Sequence, residues 1–142
     1  MDDGPIEWAR GGYVVSTDRR RLDVAAVLAL LRDTHWGRGL TDDLLRRAVE
    51  NSVCFGVYAG ADTVGFGRVV TDLATYGYLT DVVVAPGHRR RGLGGWLTEC
   101  MLAHPELQGF RRMALLTRDA EAMYARAGFT RGAAALVYLE RR

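Results

Sequence analysis

The residues of this 142-residue chain best suited to chemistry form a cluster of arginines and glycines. The cluster reads Arg89-Arg90-Arg91-Gly92-Leu93-Gly94-Gly95. Glycine lets the backbone turn its N–H groups toward a bound anion, and the N-terminus of a helix adds partial positive charge. The cluster therefore indicates a site that holds phosphate groups.

The segments on either side predict a strand before this cluster and a helix after it. Residues 78–84 are rich in β-branched and aromatic side chains, and Pro86-Gly87 marks the end of the run. From Leu93 onward, apolar residues recur at positions 93, 96, 97, 100 and 101, which is the spacing of one helix face. The cluster is thus expected to form the turn of a strand–turn–helix unit.

Two familiar phosphate-binding motifs do not fit this turn. A P-loop requires Lys followed by Ser or Thr after its last glycine, whereas Trp96 follows Gly95 here. A dinucleotide-binding fingerprint beginning at Gly92 requires glycine at position 97, which is Leu97. A plain structural turn with a solvated arginine cluster is the remaining alternative.

Asp81 is the one acidic residue in the predicted strand. An isolated carboxylate among apolar residues is costly unless it is paired or functional. Strand alternation places Asp81 on the face opposite to Tyr78, Thr80 and Val82. Two interpretations stay open: Asp81 takes a proton from a substrate, or it is a structural partner for Arg68 or a loop backbone.

Composition predicts one globular domain across residues 1–142. Hydrophobic residues make up 49% of the chain and charged residues 25%. The net charge is only +2, and all 19 basic residues are arginine. This weak overall charge argues against a nucleic-acid partner, although local arginine clusters keep that rival testable by salt-dependent binding.

Cysteine spacing and hydropathy predict a cytoplasmic protein without metal. Cys54 and Cys100 form no Cys-x-x-Cys pair, and the three histidines have no metal-ligand spacing. Free thiols of this kind suit a reducing compartment. No apolar run approaches the roughly 20 residues that cross a bilayer, so no membrane association is expected.

The predicted element order is strand, two helices, three strands, helix, strand, helix and strand. Asp23 and Thr41 are predicted to cap the first two helices. The last two elements are predicted over residues 120–127, capped by Asp119, and over residues 133–139.

The turn and the element order together resemble the GNAT acetyltransferase superfamily. The signature of that family, Arg/Gln-x-x-Gly-x-Gly/Ala after an apolar strand and Pro, is matched by Val84-Ala-Pro86-Gly-His-Arg89-Arg-Arg-Gly92-Leu-Gly94. The resemblance implies an α/β fold with a mixed central sheet flanked by about four helices. It also implies that residues 89–95 bind the pyrophosphate of acetyl-CoA, and that no metal is needed.

A second family feature is Tyr124-x-x-x-Gly128-Phe129. In the family, the hydroxyl of this tyrosine lies near the sulfur of coenzyme A and protonates the departing thiolate. A phenol with a pKa of about 10 is matched to that task. Asp119 stands where many relatives have Asn, and the resemblance implies that it contacts the pantetheine arm.

The resemblance gives the predicted strand a role through its backbone. In the family this strand diverges from its neighbour, and free backbone groups near its end bind pantetheine and polarise the thioester carbonyl. Those positions are Val82, Val83 and Val84. The general base is either Asp81 or a water relay through Tyr78 and Thr80.

The acceptor is expected to meet Trp36, in a glycine-broken segment between the first two helices, and Tyr78 and Thr80. Trp36 can equally pack between the two helices. The predicted function is N-acetyl transfer from acetyl-CoA to the primary amine of a small molecule, by direct attack in a ternary complex. The alternative is an inactive acyl-CoA-binding sensor or interaction module. The family also implies a possible homodimer.

Overall fold

A six-stranded β-sheet lies at the centre of the protein, whose structure, a computed structural model, describes residues 4–142. Its strands are β1 (Glu7–Arg10), β2 (Tyr13–Ser16), β3 (Val53–Ala59), β4 (Asp62–Thr71), β5 (Tyr76–Val84) and β6 (Arg112–Leu115). The helices are α1 (Val24–Arg32), α2 (Asp42–Glu50), α3 (Leu93–Ala103) and α4 (Glu121–Arg126).

The sheet is mixed, and its strands lie in the order β1-β2-β3-β4-β5-β6. Neighbouring strands are antiparallel except for β5 and β6, which are parallel. The connection between this parallel pair contains α3, as a crossover between parallel strands requires. The expected fold class, a mixed sheet flanked by about four helices, is confirmed.

The first hairpin was missed by the sequence analysis. β1 pairs with β2 through Arg10 opposite Tyr13, so Gly11 and Gly12 form a two-residue turn. Both glycines have positive φ, 54° and 85°. A Gly-Gly pair between two short strands is a recognised hairpin signal, because both turn positions favour residues without a Cβ. The hairpin matters for the site because it carries Arg10.

The two predicted helix caps are present. The Asp23 carboxylate accepts a hydrogen bond from the Ala26 N–H at 3.1 Å, and the Thr41 hydroxyl accepts one from the Leu44 N–H at 3.3 Å. Each cap satisfies a backbone N–H that has no partner inside its helix. Within residues 4–142, no helix combines the length and the apolar character that crossing a membrane requires.

Apolar side chains fill the space on both faces of the sheet. On one face, α1 and α2 cover a cluster that contains Val27, Leu28, Leu31, Leu45, Val49, Cys54, Phe66 and Val83. On the other face, α3 covers a cluster that includes Val15, Phe55, Val57, Val69, Leu79, Leu97 and Met101. β5 contributes to both clusters, so its two faces look toward two different helical layers.

The predicted final strand is wrong. Residues 130–142 form no strand, and Leu136, Val137, Tyr138 and Leu139 are exposed. The segment has strand-forming side chains, but a strand also needs a neighbouring strand to pair with. The sheet ends at β6, which does not pair with this segment.

Tyr58 offers a test of the core. The guanidinium carbon of Arg21 lies 4.3 Å from the centre of the Tyr58 ring. The buried Tyr58 hydroxyl nevertheless has no hydrogen-bond partner among residues 4–142. A buried hydroxyl without a partner costs about 1 kcal/mol or more, so we expect Tyr58→Phe to raise the free energy of unfolding by about that amount. Urea denaturation measures the change, with the exposed Tyr76→Phe as control. A less stable Tyr58→Phe protein would contradict the assignment.

Candidate active site

The predicted phosphate turn has the backbone that anion binding needs. After β5, a short 3-10 turn (Pro86–His88) leads to Gly92, the N-cap of α3, at φ 74° and ψ 14°. Arg90 also has positive φ, 65°. Among residues 4–142 no side chain caps α3, so the N–H groups of its first turn remain available to an outside acceptor. The helix therefore directs both its free N–H groups and its positive end toward this turn.

Side chains from elsewhere fix the turn in place. Arg89 donates from Nε to the Val84 carbonyl at 3.0 Å, which fastens the turn to the end of β5. Arg91 donates to the Tyr13 hydroxyl at 2.7 Å, and that hydroxyl lies 2.8 Å from His88 Nδ1. Tyr13 thus ties the turn to β2. A turn anchored at two points meets an anion without further ordering.

A cavity of about 490 Å³ lies against this turn. Four arginines line it: Arg89 and Arg90 from the turn, Arg10 from the β1–β2 hairpin and Arg126 from α4. The Arg10 guanidinium lies 5.7 Å from the centre of the Trp96 ring, which also lines the cavity. Four cations beside a helix N-terminus suit a polyphosphate ligand.

Helix α3 approaches α4 at Gly94. A Cβ on Gly94 would come within 2.9 Å of the Met123 sulfur, so a larger residue there would require the flexible Met123 side chain to shift. The same approach brings Arg126 to the cavity. The residues present therefore fit the pyrophosphate that the resemblance implies, and Arg10 and Arg126 join them although the sequence analysis missed both.

A larger cavity, of about 920 Å³, lies away from this site. It is lined by residues such as Asp18, Arg19, Glu50 and His104, and by none of the predicted site residues. Arg19 is already engaged there, because it donates to the carbonyls of Val49 and Ser52 at 2.6 Å each. Its charge is therefore used to fasten the segment between β2 and α1 to the end of α2 and the loop that follows it, and the cavity at the α3 N-terminus is the better candidate site.

β5 extends beyond its partner β6. Parallel pairing begins at Tyr76 opposite Arg112 and ends at Leu79 opposite Leu115. β5 continues to Val84, where it meets the phosphate cavity. Past Leu79, the backbone groups of β5 that point away from β4 therefore have no strand partner in the part of the chain that the structure describes. This is the divergence that the family resemblance implies, and it leaves an opening beside Val82, Val83 and Val84.

A β-bulge at Asp81 changes which side chains share a face of β5. Arg68 pairs with Thr80 and Phe66 with Val83, so two β5 residues, Asp81 and Val82, lie opposite one β4 residue. Asp81 adopts φ 56°, in the left-handed region that Asp tolerates better than most residues. Its carboxylate accepts a hydrogen bond from Arg68 Nε at 2.7 Å.

The predicted placement of Asp81 is therefore wrong. Residues directly opposite in a sheet share a face, so Arg68, Thr80 and Tyr78 all lie on the side of α1 and α2. Asp81 reaches Arg68 on that same side, whereas Val82 packs toward α3. Simple alternation fails because the bulge inserts one residue into it. The structural partner proposed for Asp81, Arg68, is confirmed.

Tyr124 lies in α4, next to the cavity-lining Met123 and Arg126. Its side chain is 8% exposed, and burial raises the pKa of its hydroxyl above the ordinary value of 10.0. Two backbone hydrogen bonds close the end of the helix. The Gly128 N–H donates to the Ala125 carbonyl at 3.0 Å, and the Phe129 N–H donates to the Tyr124 carbonyl at 3.1 Å.

This pair of bonds is a Schellman motif, with Gly128 at φ 98°. The Tyr124 and Phe129 rings make the accompanying contact edge to face, with their centres 6.0 Å apart. The Tyr-x-x-x-Gly-Phe spacing thus has a structural explanation of its own. It does not by itself require a catalytic hydroxyl, and the role of Tyr124 stays a prediction.

Two other predicted site residues, Asp119 and Trp36, lie at the surface. Asp119 is exposed and does not cap α4; the Thr117 hydroxyl instead accepts a hydrogen bond from the Ala120 N–H at 3.1 Å. Trp36 is 50% exposed and meets His35 edge to face at 5.1 Å between ring centres. Such exposure is incompatible with packing between α1 and α2. Trp36 remains free to line an acceptor pocket.

Comparison with known proteins gives this geometry a context. The model of the family described as Acetyltransferase (GNAT) domain matches residues 50–131, which include β3 to β6 and the phosphate turn. The chain belongs to the GNAT acetyltransferase family. The match covers the chain from the end of α2 to the loop after α4, and so includes Asp81, the turn and Tyr124.

Individual GNAT relatives agree with this assignment. A Gibberella zeae protein named as a candidate acetyltransferase is 38% identical over 138 residues, covering 81% of this chain and 77% of its own length. A crystal structure of a candidate GNAT acetyltransferase from Xanthomonas campestris pv. campestris superposes with a TM-score of 0.87 at 41% identity, covering 94% of this chain and 95% of the other.

A more distant acetyltransferase structure was determined with acetyl-CoA. This predicted acetyltransferase from Clostridium acetobutylicum superposes with a TM-score of 0.66 at 14% identity, covering 90% of this chain and 94% of its own. At that identity the likeness concerns the fold alone.

The GNAT site predicts a measurable role for Arg10. We expect Arg10→Ala to weaken binding of coenzyme A about tenfold, because one charge-assisted phosphate contact is lost. Calorimetric titration at two salt concentrations should also show a smaller salt dependence than the unsubstituted protein. Arg47→Ala, an exposed change on α2, is the matched control. Equal affinities for the two variants would remove Arg10 from the site.

Proposed function

We propose that this GNAT protein transfers the acetyl group of acetyl-CoA to the primary amine of a small molecule, directly and within a ternary complex. The observation that supports it is the junction at Val84. There the unpaired end of β5 meets a cavity with four arginines and the N-terminus of α3. One short stretch of chain thus offers free backbone groups and an anion site side by side.

Acetyl-CoA, the acetyl donor, would be held mainly by backbone N–H groups and arginine side chains. Arg10, Arg89, Arg90 and Arg126 would bind the phosphates together with the first N–H groups of α3. Acetyl-CoA supplies an acetyl group activated as a thioester. Free backbone N–H groups of β5 beyond Leu79 are suited to hydrogen-bond a developing oxyanion without any reorganisation.

Tyr124 would donate a proton to the departing thiolate of coenzyme A. Because burial raises the pKa of its hydroxyl, the group stays protonated through neutral and mildly alkaline pH. A phenol held in this state can give its proton to a thiolate as the carbon–sulfur bond breaks.

Asp81 would accept a proton from the amine on the α1 and α2 side of the sheet. Tyr78 shares this face, but burial raises the pKa of its hydroxyl, which makes it a poor base. The Asp81 carboxylate, held by Arg68, is therefore the stronger candidate for the base. Thr80, on the same face, would orient a water between amine and carboxylate.

Direct transfer is favoured over a covalent acyl-enzyme because both thiols are unreactive. Burial raises the pKa of Cys54 and raises that of Cys100 to about 12. A nucleophilic cysteine needs the opposite shift. The acceptor would enter from the side of Trp36, Tyr78 and Thr80, and the free thiols suit a cytoplasmic protein.

The decisive test is a panel of amines, including polyamines, amino sugars and aminoglycosides, mixed with acetyl-CoA while release of free thiol is followed. We expect at least one amine to raise thiol release well above the rate without acceptor. The chain contains no lysine, so its own side chains add no amine background. Coenzyme A binding without amine-dependent turnover would instead favour the inactive sensor, whose Tyr124 and Asp81 would keep only their structural contacts.

An active amine allows the role of Asp81 to be measured. We expect Asp81→Asn to lower kcat/KM about 100-fold through loss of base catalysis, while the affinity for coenzyme A changes little. Asn tolerates the positive φ at this position, so the bulge should persist. The control is Asp62→Asn, an exposed change at the start of β4. A kcat/KM equal to that of the Asp62→Asn control would assign Asp81 to structure alone.

A further inference from the structure

The ion pair between Arg68 and Asp81 leaves most of its hydrogen-bonding capacity unused. A single hydrogen bond, from Arg68 Nε to Asp81 Oδ2 at 2.7 Å, joins the two side chains. A guanidinium has several N–H donors, and it often binds a carboxylate through two parallel hydrogen bonds. In the described part of the chain, the Nη1 and Nη2 atoms of Arg68 and the Oδ1 atom of Asp81 have no hydrogen-bond partner.

These free atoms reach solvent although both side chains are mostly buried. The Arg68 side chain is 17% exposed and the Asp81 side chain 14%. Across residues 4–142, the Tyr58 hydroxyl is the one fully buried side-chain nitrogen or oxygen without a partner. The free atoms of Arg68 and Asp81 are therefore accessible from outside. A ligand that reached them would meet a cation and an anion side by side.

The neighbours of Arg68 in the sheet add no charge to this pair. Cys54 on β3 and Thr80 on β5 lie directly opposite Arg68. Burial raises the pKa of the Cys54 thiol, so this side chain stays neutral. The free end of Arg68 therefore attracts a negative group of a ligand, and the free oxygen of Asp81 attracts a hydrogen-bond donor or a cation.

We infer that the acceptor is a free α-amino acid, an inference that rests on the acetyl transfer proposed above. Asp81 Oδ1 would accept a hydrogen bond from the amine. Nη1 and Nη2 of Arg68 would bind the two carboxylate oxygens through parallel hydrogen bonds, for which the planar guanidinium is suited. An α-amino acid carries its amine and its carboxylate on the same carbon. This short separation matches two side chains that are themselves joined by one hydrogen bond.

The ion pair lies where the reaction is proposed to occur. The pairing of β5 with β6 ends at Leu79, and Asp81 directly precedes Val82 in the unpaired part of β5. The neutral amine would form a bond to the acetyl carbon while the carbon–sulfur bond breaks. Asp81 would take the proton that the nitrogen loses, and Tyr124 would give a proton to the sulfur. The products would be an N-acetyl amino acid and coenzyme A.

Other classes of amine fit the ion pair less well. A polyamine bound at Asp81 would bring a second cation close to Arg68, and like charges repel. An amino sugar phosphate carries its phosphate several bonds away from its amine, which is farther than the two free ends of one ion pair. An uncharged amino sugar would leave the free end of Arg68 without a negative partner.

A comparison of L-amino acids with their amides tests the inference on the unsubstituted protein. With release of free thiol from acetyl-CoA as the measurement, we expect at least one L-amino acid to have a kcat/KM at least about tenfold above that of its own amide. The reason is that the amide lacks the charged partner of Arg68. The amine of an amide resembles a peptide N-terminus, with a pKa of about 8, so more of it is neutral at pH 7 than in a free amino acid. Preference for the acid therefore cannot come from a more reactive amine.

The variant Arg68→Gln tests the residue itself. We expect it to raise the KM of the preferred amino acid at least about tenfold and to leave the KM of the corresponding amide almost unchanged. Because Arg68 also holds Asp81, kcat should fall for both acceptors. The ratio of the two KM values is the readout that a purely structural arginine would not move. Arg47→Gln, an exposed change on α2, is the control and should keep the preference.

Two outcomes would overturn the inference and leave the proposed function standing. One is an amide, a polyamine or an amino sugar phosphate that is acetylated as efficiently as the best amino acid. The other is an unchanged ratio of KM values in the Arg68→Gln protein. Absence of turnover with every amine would overturn the proposed function and this inference together.

Discussion

The substitution Gly92→Glu is expected to abolish measurable binding of coenzyme A. The new carboxylate would stand at the N-cap of α3, beside the cavity where the phosphates are proposed to lie. Two like charges about 4 Å apart near a protein surface repel by about 4 kcal/mol, which corresponds to roughly a thousandfold in affinity. Isothermal titration with coenzyme A measures the loss.

Backbone strain must be separated from charge in this experiment. Gly92 has φ 74°, and a residue with a Cβ pays about 1–2 kcal/mol in that region. Gly92→Asn keeps the strain small and adds no charge. A Cβ there meets only the Arg10 side chain, at 3.5 Å, so the substitution is sterically possible. We expect Gly92→Asn to bind more weakly than the unsubstituted protein but far better than Gly92→Glu; equal losses, or no loss, would contradict the assignment of this turn.

The second large effect is expected at Tyr124. We predict that Tyr124→Phe lowers kcat about 100-fold while the affinity for coenzyme A changes little, because only the proton donor is removed. Phenylalanine keeps the edge-to-face contact with Phe129, and the Schellman bonds use backbone atoms, so α4 should remain intact. Steady-state kinetics with the best amine of the panel, together with calorimetry, separates turnover from binding.

The pH profile strengthens the Tyr124 test. Burial raises the pKa of the hydroxyl, so the unsubstituted enzyme should show no loss of kcat from Tyr124 ionisation below about pH 10. Tyr76→Phe, a change of an exposed tyrosine, is the matched control. If the Tyr124→Phe protein turns over as fast as the unsubstituted protein, Tyr124 has no catalytic role. Its ring contact with Phe129 at the Schellman motif would then be its only function.

The local parts of the fold were predictable from sequence because their causes are local. Asp23 and Thr41 cap helices through bonds to residues three positions away, and the apolar stripe of α3 follows from its own periodicity. The Gly-Gly hairpin was equally local and was overlooked. In contrast, residues 136–139 have the composition of a strand but form none, because a strand also needs a neighbouring strand and local composition does not supply one.

The residues of the site also divide into those that local sequence predicts and those that long-range contacts bring in. The turn from Arg89 to Gly95 is contiguous, so its motif could be found in the sequence. Arg10 and Arg126 join it through a hairpin and through the close approach of α4, which no spacing in the sequence records. Asp81 was placed on the wrong face because alternation assumes equal numbers of residues in both strands. A bulge breaks that assumption without leaving a signature that period-two patterning detects.

The bulge also makes Asp81 an extra residue, one that the ladder between β4 and β5 does not need. Without it, Thr80 and Val83 could keep their partners Arg68 and Phe66, and both cores would retain their side chains. What would be lost is the bend that the insertion gives β5 just past its last pairing with β6. A chain that lacks Asp81 should therefore still fold and melt cooperatively. Its strands β5 and β6 should, however, lie closer together past Leu79. The bend at the end of β5 is thus encoded by a mismatch in residue number between two strands, and the stability of the fold does not require it.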